Sequence, residues 1–257
     1  MKKNAYITGA STGIGAAFAK KLAEKYNLVI IARSEDKLKE LAQSIQGDAS
    51  EGVEVLVADL TKQKDIKLVQ DKLTADENLG LLVNNAGFGS SGEFSELSIN
   101  QELSQIQLNV VTLVRLTHAA IKNFKKRGVS GDIINVASVL AFLPTPQGAT
   151  YGATKAYVKS FSEAVHEEVK PYNINVQTLC PGLTRTEFQD RAGVDKEKMP
   201  EFLWMESEQV VEESIIALQN KHAICIPGLM NRSTAALLDF APTELTRKLS
   251  GFLFNQE

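Results

Sequence analysis

Seven short apolar runs punctuate the chain, and the stretches between them repeat their apolar residues at helical spacing. The runs are Ala5–Thr8, Leu28–Ala32, Val53–Ala58, Leu81–Asn84, Ile133–Ala137, Ile174–Leu179 and Ala223–Ile226. A stretch as uninterrupted as Leu28-Val29-Ile30-Ile31-Ala32 suits a strand covered on both faces. Between the runs, Ile14, Phe18 and Leu22 recur at helical period, as do Leu103, Ile106, Val110, Leu113 and Thr117, and Ala153, Ala156, Val158, Phe161 and Val165. Parallel neighbours are reached only through crossovers, and right-handed crossovers put helices on both faces of the sheet. The expected fold is therefore α/β, a three-layer doubly wound parallel sheet of about seven strands.

No internal repeat, low-complexity tract or linker interrupts the 257 residues, so one domain spanning 1–257 is expected. Residues 184–206 break the rhythm: they are polar and strand-free, and carry Phe188, Phe202, Leu203, Trp204 and Met205. Such segments often form lids over a site, which is the reading adopted for 184–206; a surface helix pair is the alternative.

Composition excludes several classes. With 44% apolar and 23% charged residues, the chain is neither disordered nor coiled coil. A net charge of −3 attracts no polyanion, so no nucleic-acid partner is expected. Cys180 and Cys225 belong to no CxxC pair, and His118, His166 and His222 stand singly, so no metal site is expected. Both cysteines fall at apolar runs and read as reduced core residues. The start MKKNAYITGA has no apolar run of signal-peptide length, and no stretch approaches the ~18 apolar residues of a span, so a cytoplasmic location without a membrane is expected. Near the end, Leu245, Leu249, Phe252 and Leu253 form an amphipathic stripe beside Arg247 and Lys248. Packing on the body or on a second subunit is preferred there over a membrane surface, because the stretch is short.

The first run leads directly into Thr8-Gly9-Ala10-Ser11-Thr12-Gly13-Ile14-Gly15. Glycines at a strand–helix junction let the backbone approach a pyrophosphate, and the helix end offers N–H groups and a positive dipole. An acid about 20 residues on commonly binds the adenosine ribose, and Glu35 falls there. Ser34 reads as a helix cap, however, and Glu35 and Asp36 suit the first turn that follows, so Glu35 is rejected as a ribose ligand. Arg33 closes the second run instead, and a guanidinium there suits the 2′-phosphate of NADP.

Tyr151 and Lys155 lie one turn apart on one helix face. A free phenol near pKa ~10 is a poor acid–base group at neutral pH, and a nearby ammonium is expected to lower it. Ser138 ends the fifth run, where ligands of open α/β sheets bind. Asn109, between Leu108 and Val110, needs a hydrogen-bond partner, which suits a structural or relay role.

Taken in order, these segments resemble the short-chain dehydrogenase/reductase family. The glycine turn, Asp59 after the third strand, Asn84-Asn85-Ala86-Gly87, the set Asn109, Ser138, Tyr151 and Lys155, and Pro181-Gly182-Leu183-Thr184-Arg185-Thr186 match its motifs. The resemblance implies a Rossmann-type fold and an NADP-linked interconversion of a carbonyl and an alcohol. Tyr151 would be the general acid or base, Lys155 would hold the nicotinamide ribose and tune Tyr151, Ser138 would orient the carbonyl, and Asn109 would hold a relay water. It implies cofactor contacts from Gly9, Ser11, Thr12, Gly13, Ile14, Gly15, Arg33, Asp59, Leu60, Asn85, Ala86, Gly87, Tyr151, Lys155, Pro181, Gly182, Leu183 and Thr186. Thr12 stands where many NADP-preferring relatives carry a basic residue, which leaves that preference on Arg33. The family forms dimers and tetramers through its fourth and fifth helices, so a homo-oligomer is expected. A non-catalytic NADP-binding regulator on the same fold is the alternative. The apolar Phe88, Phe94, Leu140, Phe142, Leu143, Phe188, Phe202 and Trp204 suggest a pocket for apolar carbonyls.

Overall fold

The computed structural model describes residues 2–46, 52–188 and 200–254, and for residues 46, 243, 249 and 252–254 the backbone path alone. Residues 189–199, the middle of the expected lid, lie outside the described residues.

The strands are β1 (Lys3–Thr8), β2 (Tyr26–Ala32), β3 (Val53–Val57), β4 (Leu79–Asn84), β5 (Gly131–Val136), β6 (Ile174–Leu179) and β7 (Ile224–Cys225). The described helices are α1 (Gly13–Leu22), α2 (Glu35–Gln46), α3 (Gln63–Ala75), α4 (Ile99–Ile106), α5 (Leu113–Arg127), α6 (Ala149–Val169), α7 (Ser207–Gln219), α8 (Leu229–Phe240) and α9 (Thr243–Phe254). All seven strands join one sheet in the order β3-β2-β1-β4-β5-β6-β7, and every pairing is parallel. The order reverses between β1 and β4, so a crevice opens beyond their carboxyl ends.

Side-chain alternation along β1 shows how the layers form. Ala5 and Ile7 point into one core with Phe18 and Leu22 of α1, Leu38 of α2 and Val210 of α7. Tyr6 points into the other, with Ile66 and Val69 of α3 and Leu116 and Phe124 of α5. Both faces are buried, which is why the central strands read as continuous apolar runs. Burial and the neighbouring Asp76 push the Tyr6 phenol far above its usual value, so it stays neutral.

Three local features depart from the expectations. The pattern from Leu103 to Thr117 is not one regular helix: α4 and α5 are joined by a wider π turn, Gln107–Thr112. The seventh strand shrinks to two residues. Residues 184–206 are not wholly strand-free, since Thr184 and Met205 form a parallel bridge. Cys180 and Cys225 are buried and free, and burial pushes both thiols up to about 12. Among the described residues no helix is long and apolar enough to cross a membrane, and no group of three metal-ligating side chains forms.

Candidate active site

The glycine turn and β4 are locked together by hydrogen bonds. Thr8 Oγ1 accepts from the N–H groups of Asn85 and Ala86, each at 3.0 Å, and Asn85 Nδ2 donates to the carbonyls of Thr8 and Gly9. Gly9 and Gly13 have φ of +65° and +55°. A Cβ on Gly15 would lie 2.3 Å from the Gly9 carbonyl oxygen, so no larger residue fits this crossing. Thr12 occupies the N-cap of α1 without a capping side-chain bond, and no acid lies in its first turn. The first turn of α1 thus has neither a capping bond from Thr12 nor an acid of its own, which fits a pyrophosphate.

At the far edge of the crevice, Arg33 is exposed beyond β2. Glu35 lies in the first turn of α2 and pairs with Lys39 at 2.7 Å. Asp59 accepts from the backbone and hydroxyl of Thr61 at 3.1 and 2.8 Å. Burial alone would raise its carboxyl, but those bonds, with the Arg33 and Lys62 charges, hold it below the usual range. The next residue, Leu60, gives its carbonyl to Thr112 Oγ1 at 2.7 Å.

Asn109 sits in the same π turn as Thr112 and is 1% exposed. Its amide brackets the peptide after Asn84-Asn85-Ala86-Gly87: Oδ1 accepts from Phe88 N at 3.2 Å, and Nδ2 donates to Phe88 O at 2.9 Å and Thr154 Oγ1 at 3.1 Å. Thr154 in turn donates to the Tyr151 carbonyl at 2.8 Å. The π turn therefore ties both ends of the crevice, at Leu60 and at Phe88, to the helix that carries Tyr151. Thr112 and Thr154 were missed in the sequence; their only signal was a polar side chain on an otherwise apolar face.

Ser138, Tyr151, Lys155 and Asn109 come together here. A Cβ on Gly87 would meet Asn109 Oδ1 at 3.0 Å and Lys155 Nζ at 3.6 Å, and one on Gly89 would meet the Tyr151 ring at 3.2 Å. Ser138 follows β5, is 7% exposed, accepts from Leu140 N at 3.1 Å through Oγ, and stands near enough to Tyr151 to act on its phenol. Lys155 Nζ lies 5.6 Å from the centre of the Tyr151 ring and donates to the Val136 carbonyl at 2.8 Å. Phe188 packs on Tyr151 with ring centres 5.5 Å apart.

The electrostatics correct one expectation. Burial pushes the Tyr151 phenol up to about 12, with only Ser138 acting downward. Burial pushes the Lys155 amine down to about 8, against a small upward effect of Cys180. Lys155 does not lower the phenol in this structure, because its ammonium is turned to the Val136 carbonyl and is itself destabilised by burial.

Of the remaining sequence candidates, Thr186 lies against the glycine turn, its Cγ2 2.7 Å from where a Gly13 Cβ would be. Gly182 backs onto Asn231 of α8. Leu183 and Arg185 are held to Met205 by backbone bonds of 2.9 Å each. Lys37 of α2 reaches Glu187 at 2.8 Å, which ties α2 to the segment after Thr186. Phe94 and Phe202 are exposed and do not gather at the site. Phe142 and Leu143 line a groove of about 680 Å³ beside Gly152 and Ala153, but neither Ser138 nor Tyr151 faces it, so it runs beside the reacting centre.

Comparison with known proteins identifies the family. The short chain dehydrogenase family model matches residues 3–197. Human 17-beta-hydroxysteroid dehydrogenase type 3 is 36% identical over 180 residues, 69% of this chain and 57% of that protein. A short-chain dehydrogenase from Sphingobium yanoikuyae, solved in complex with NADPH, is 34% identical with a TM-score of 0.85, over 99% of this chain and 96% of its own. The bulky-bulky ketone specific alcohol dehydrogenase from Comamonas testosteroni is 32% identical with a TM-score of 0.79, over 93% of this chain and 95% of its own. With its parallel sheet, its glycine turn under an uncapped helix and these relatives, the chain belongs to the short-chain dehydrogenase/reductase family of NAD(P)-dependent oxidoreductases.

Proposed function

We propose that this enzyme, as one catalytic unit, interconverts an apolar ketone or aldehyde and its alcohol, with NADP(H) as the preferred cofactor and Tyr151 as the proton-transferring group. The observation that carries this reading is the meeting of Ser138, Tyr151, Lys155 and Asn109 beside Gly87 and Gly89, at the carboxyl ends of β4 and β5. The bound nicotinamide ring supplies or accepts the hydride. The chain's own groups then have separate tasks.

Ser138 donates to the carbonyl oxygen and orients it. Tyr151, neutral at physiological pH, hands its phenolic proton to the same oxygen as charge develops there. Lys155 stands close enough to neutrality to carry a proton behind Tyr151 and, with Nζ beside Gly87, would hold the ribose hydroxyls. Asn109 fixes the Phe88 peptide and, through Thr154, the start of α6. Gly9, Gly13 and Gly15 with the end of α1 would hold the pyrophosphate, and Asp59 and Leu60 the adenine. Arg33 would hold the 2′-phosphate, which is the basis for preferring NADP(H).

The apolar character of the substrate is supported by Phe188 on Tyr151, by Phe142, Leu143 and Pro144 beside the site, and by the name of the solved bulky-ketone dehydrogenase. Tyr151→Phe tests the assignment: NADPH oxidation with aryl and alkyl ketones should fall by a factor of 10² or more, while NADPH still binds, read by its fluorescence. Turnover at the unmutated rate in that variant would remove Tyr151 from the reaction.

A further inference from the structure

Helix α4 and the π turn after it are amphipathic in the reverse sense. Their buried side chains are all polar: Glu102 (2% exposed), Gln105 (0%), Asn109 (1%) and Thr112 (2%), at i, i+3, i+7 and i+10. The apolar Ile99, Leu103 and Ile106 are exposed. Helices ordinarily bury the apolar side and leave the charged one to water. Asn109 and Thr112 have tasks at the crevice, where they hold Phe88 and Leu60. Glu102 and Gln105 lie on the same face, two turns and one turn before Asn109.

Both converge on Ser90. Its Oγ donates to Glu102 Oε1 at 2.6 Å and lies 3.1 Å from Gln105 Oε1. One hydroxyl proton cannot serve both acceptors, and among the described residues Glu102 Oε2 and Gln105 Nε2 have no hydrogen-bond partner. A carboxyl group buried with so few partners costs stability, and apolar residues of similar volume would fill the space at less cost. Local departures of this kind accompany functional constraints.

What Ser90 controls is its neighbour in the chain. Gly89 is buried in the notch between two rings: a Cβ there would lie 3.2 Å from Tyr151 Cδ2 and 3.3 Å from Phe188 Cζ. The segment 88–92 is fastened at three points. Asn109 brackets the Phe88 peptide, Glu102 takes the Ser90 hydroxyl, and Gly92 N donates to the Gln147 carbonyl at 2.8 Å. Glycine has the widest backbone freedom of any residue, so without the middle fastening Gly89 can withdraw from the Tyr151 ring.

We propose that Glu102, acting through Ser90, is a positioning residue for Tyr151. The Glu102–Ser90 bond keeps the Gly89 backbone against the ring, and so keeps the phenolic hydroxyl at the oxygen that Ser138 also serves. The inference rests on Tyr151 as the proton-transferring group. Misplacing a reacting group by 1 Å can slow a reaction by up to about a hundredfold.

Kinetics on the full chain test the proposal. Glu102→Leu and Ser90→Ala should each lower kcat for NADPH-dependent ketone reduction by about tenfold. KM for the ketone and NADPH binding should hardly change, because separate bonds of Thr8 and Asn85 lock the glycine turn. The double variant should be no slower than the worse single one, since both changes remove the same bond. Ser90→Ala strands the Glu102 carboxyl, so adding Glu102→Leu to it should restore stability to urea without restoring kcat. Glu102→Gln, whose amide oxygen can still take the Ser90 proton, should recover most of the rate. A second readout needs no turnover: in protein labelled with 3-fluorotyrosine, the fluorine resonance lost in Tyr151→Phe should shift in Glu102→Leu and return in Glu102→Gln. The proposal is overturned by an unchanged kcat in both single variants, by NADPH binding that falls in step with kcat, by a kcat that returns with stability in the double variant, by no recovery in Glu102→Gln, or by an unmoved fluorine resonance. Turnover at the unmutated rate in Tyr151→Phe would overturn the proposed reaction instead, and the fluorine shift would still report whether Glu102 places the ring.

Discussion

Replacing Lys155 by methionine should stabilise the cofactor-free protein at neutral pH and lose that advantage as pH rises. Lys155 is 5% exposed, and burial brings its amine to about 8 from an ordinary 10.5. At about 1.4 kcal/mol per pKa unit, holding the charged form in the fold costs about 3 kcal/mol. The sign follows from proton uptake. Between pH 8 and 10.5 the unfolded chain keeps a proton that the folded chain has released, so wild-type stability rises with pH through that window. Below pH 8 both states are protonated and the full cost is present. Methionine removes the charge at every pH, but leaves the Val136 carbonyl without its donor, a loss of about 1–3 kcal/mol. Lys155→Met is therefore expected to be up to about 2 kcal/mol more stable than wild type at pH 7, and its advantage should decline by about 3 kcal/mol by pH 10.5. Urea unfolding of both proteins at several pH values between 7 and 10 measures the difference, and the titrations they share cancel. A stability difference that stays flat across this range would show that Lys155 is not held near neutrality by burial.

Other consequences of the site can be checked in the same way. Arg33→Asp should shift the ratio of kcat/KM for NADPH over NADH toward NADH by at least tenfold; an unchanged ratio would remove Arg33 from the nucleotide site. Thr112→Val strips the Leu60 carbonyl of its donor, and should cost about 1–3 kcal/mol in unfolding free energy and weaken cofactor binding, read by NADPH fluorescence titration. Gly15→Ala puts a methyl 2.3 Å from the Gly9 carbonyl oxygen, so thermal unfolding should drop by several degrees and cofactor binding should vanish. Since the Tyr151 phenol lies at about 12, alcohol oxidation, which needs the phenolate, should rise across pH 7–10; a flat profile would assign the proton to another group.

The layers and the order of the fold were legible because buried parallel strands leave a trace in the sequence: Leu28-Val29-Ile30-Ile31-Ala32 in β2 and Leu81-Leu82-Val83 in β4 are unbroken apolar stretches. The glycine turn, Asn109, Ser138, Tyr151 and Lys155 were legible as spaced residue types. Features that depend on hydrogen-bond closure were not. The π turn from Gln107 to Thr112 satisfies the same apolar spacing as a regular helix, so periodicity could not find it. Thr154 and Thr112 act through partners 45 and 52 residues away in sequence. The direction of the Tyr151 shift is set by burial of the phenol, and residue spacing does not record that. Nor does periodicity reveal which way α4 faces: apolar residues at helical spacing predict a buried face, and here Leu103 and Ile106 lie outside while Glu102 and Gln105 lie inside.

The account turns on Ser138 and Tyr151 serving one oxygen atom, and a double-mutant cycle measures this directly. The rate of NADPH-dependent ketone reduction is compared for wild type, Ser138→Ala, Tyr151→Phe and the double variant. Groups acting as a unit give a double variant scarcely slower than the worse single one. Losses that simply multiply would mean the two hydroxyls work independently, and activity in the double variant near that of wild type would mean the chemistry happens elsewhere.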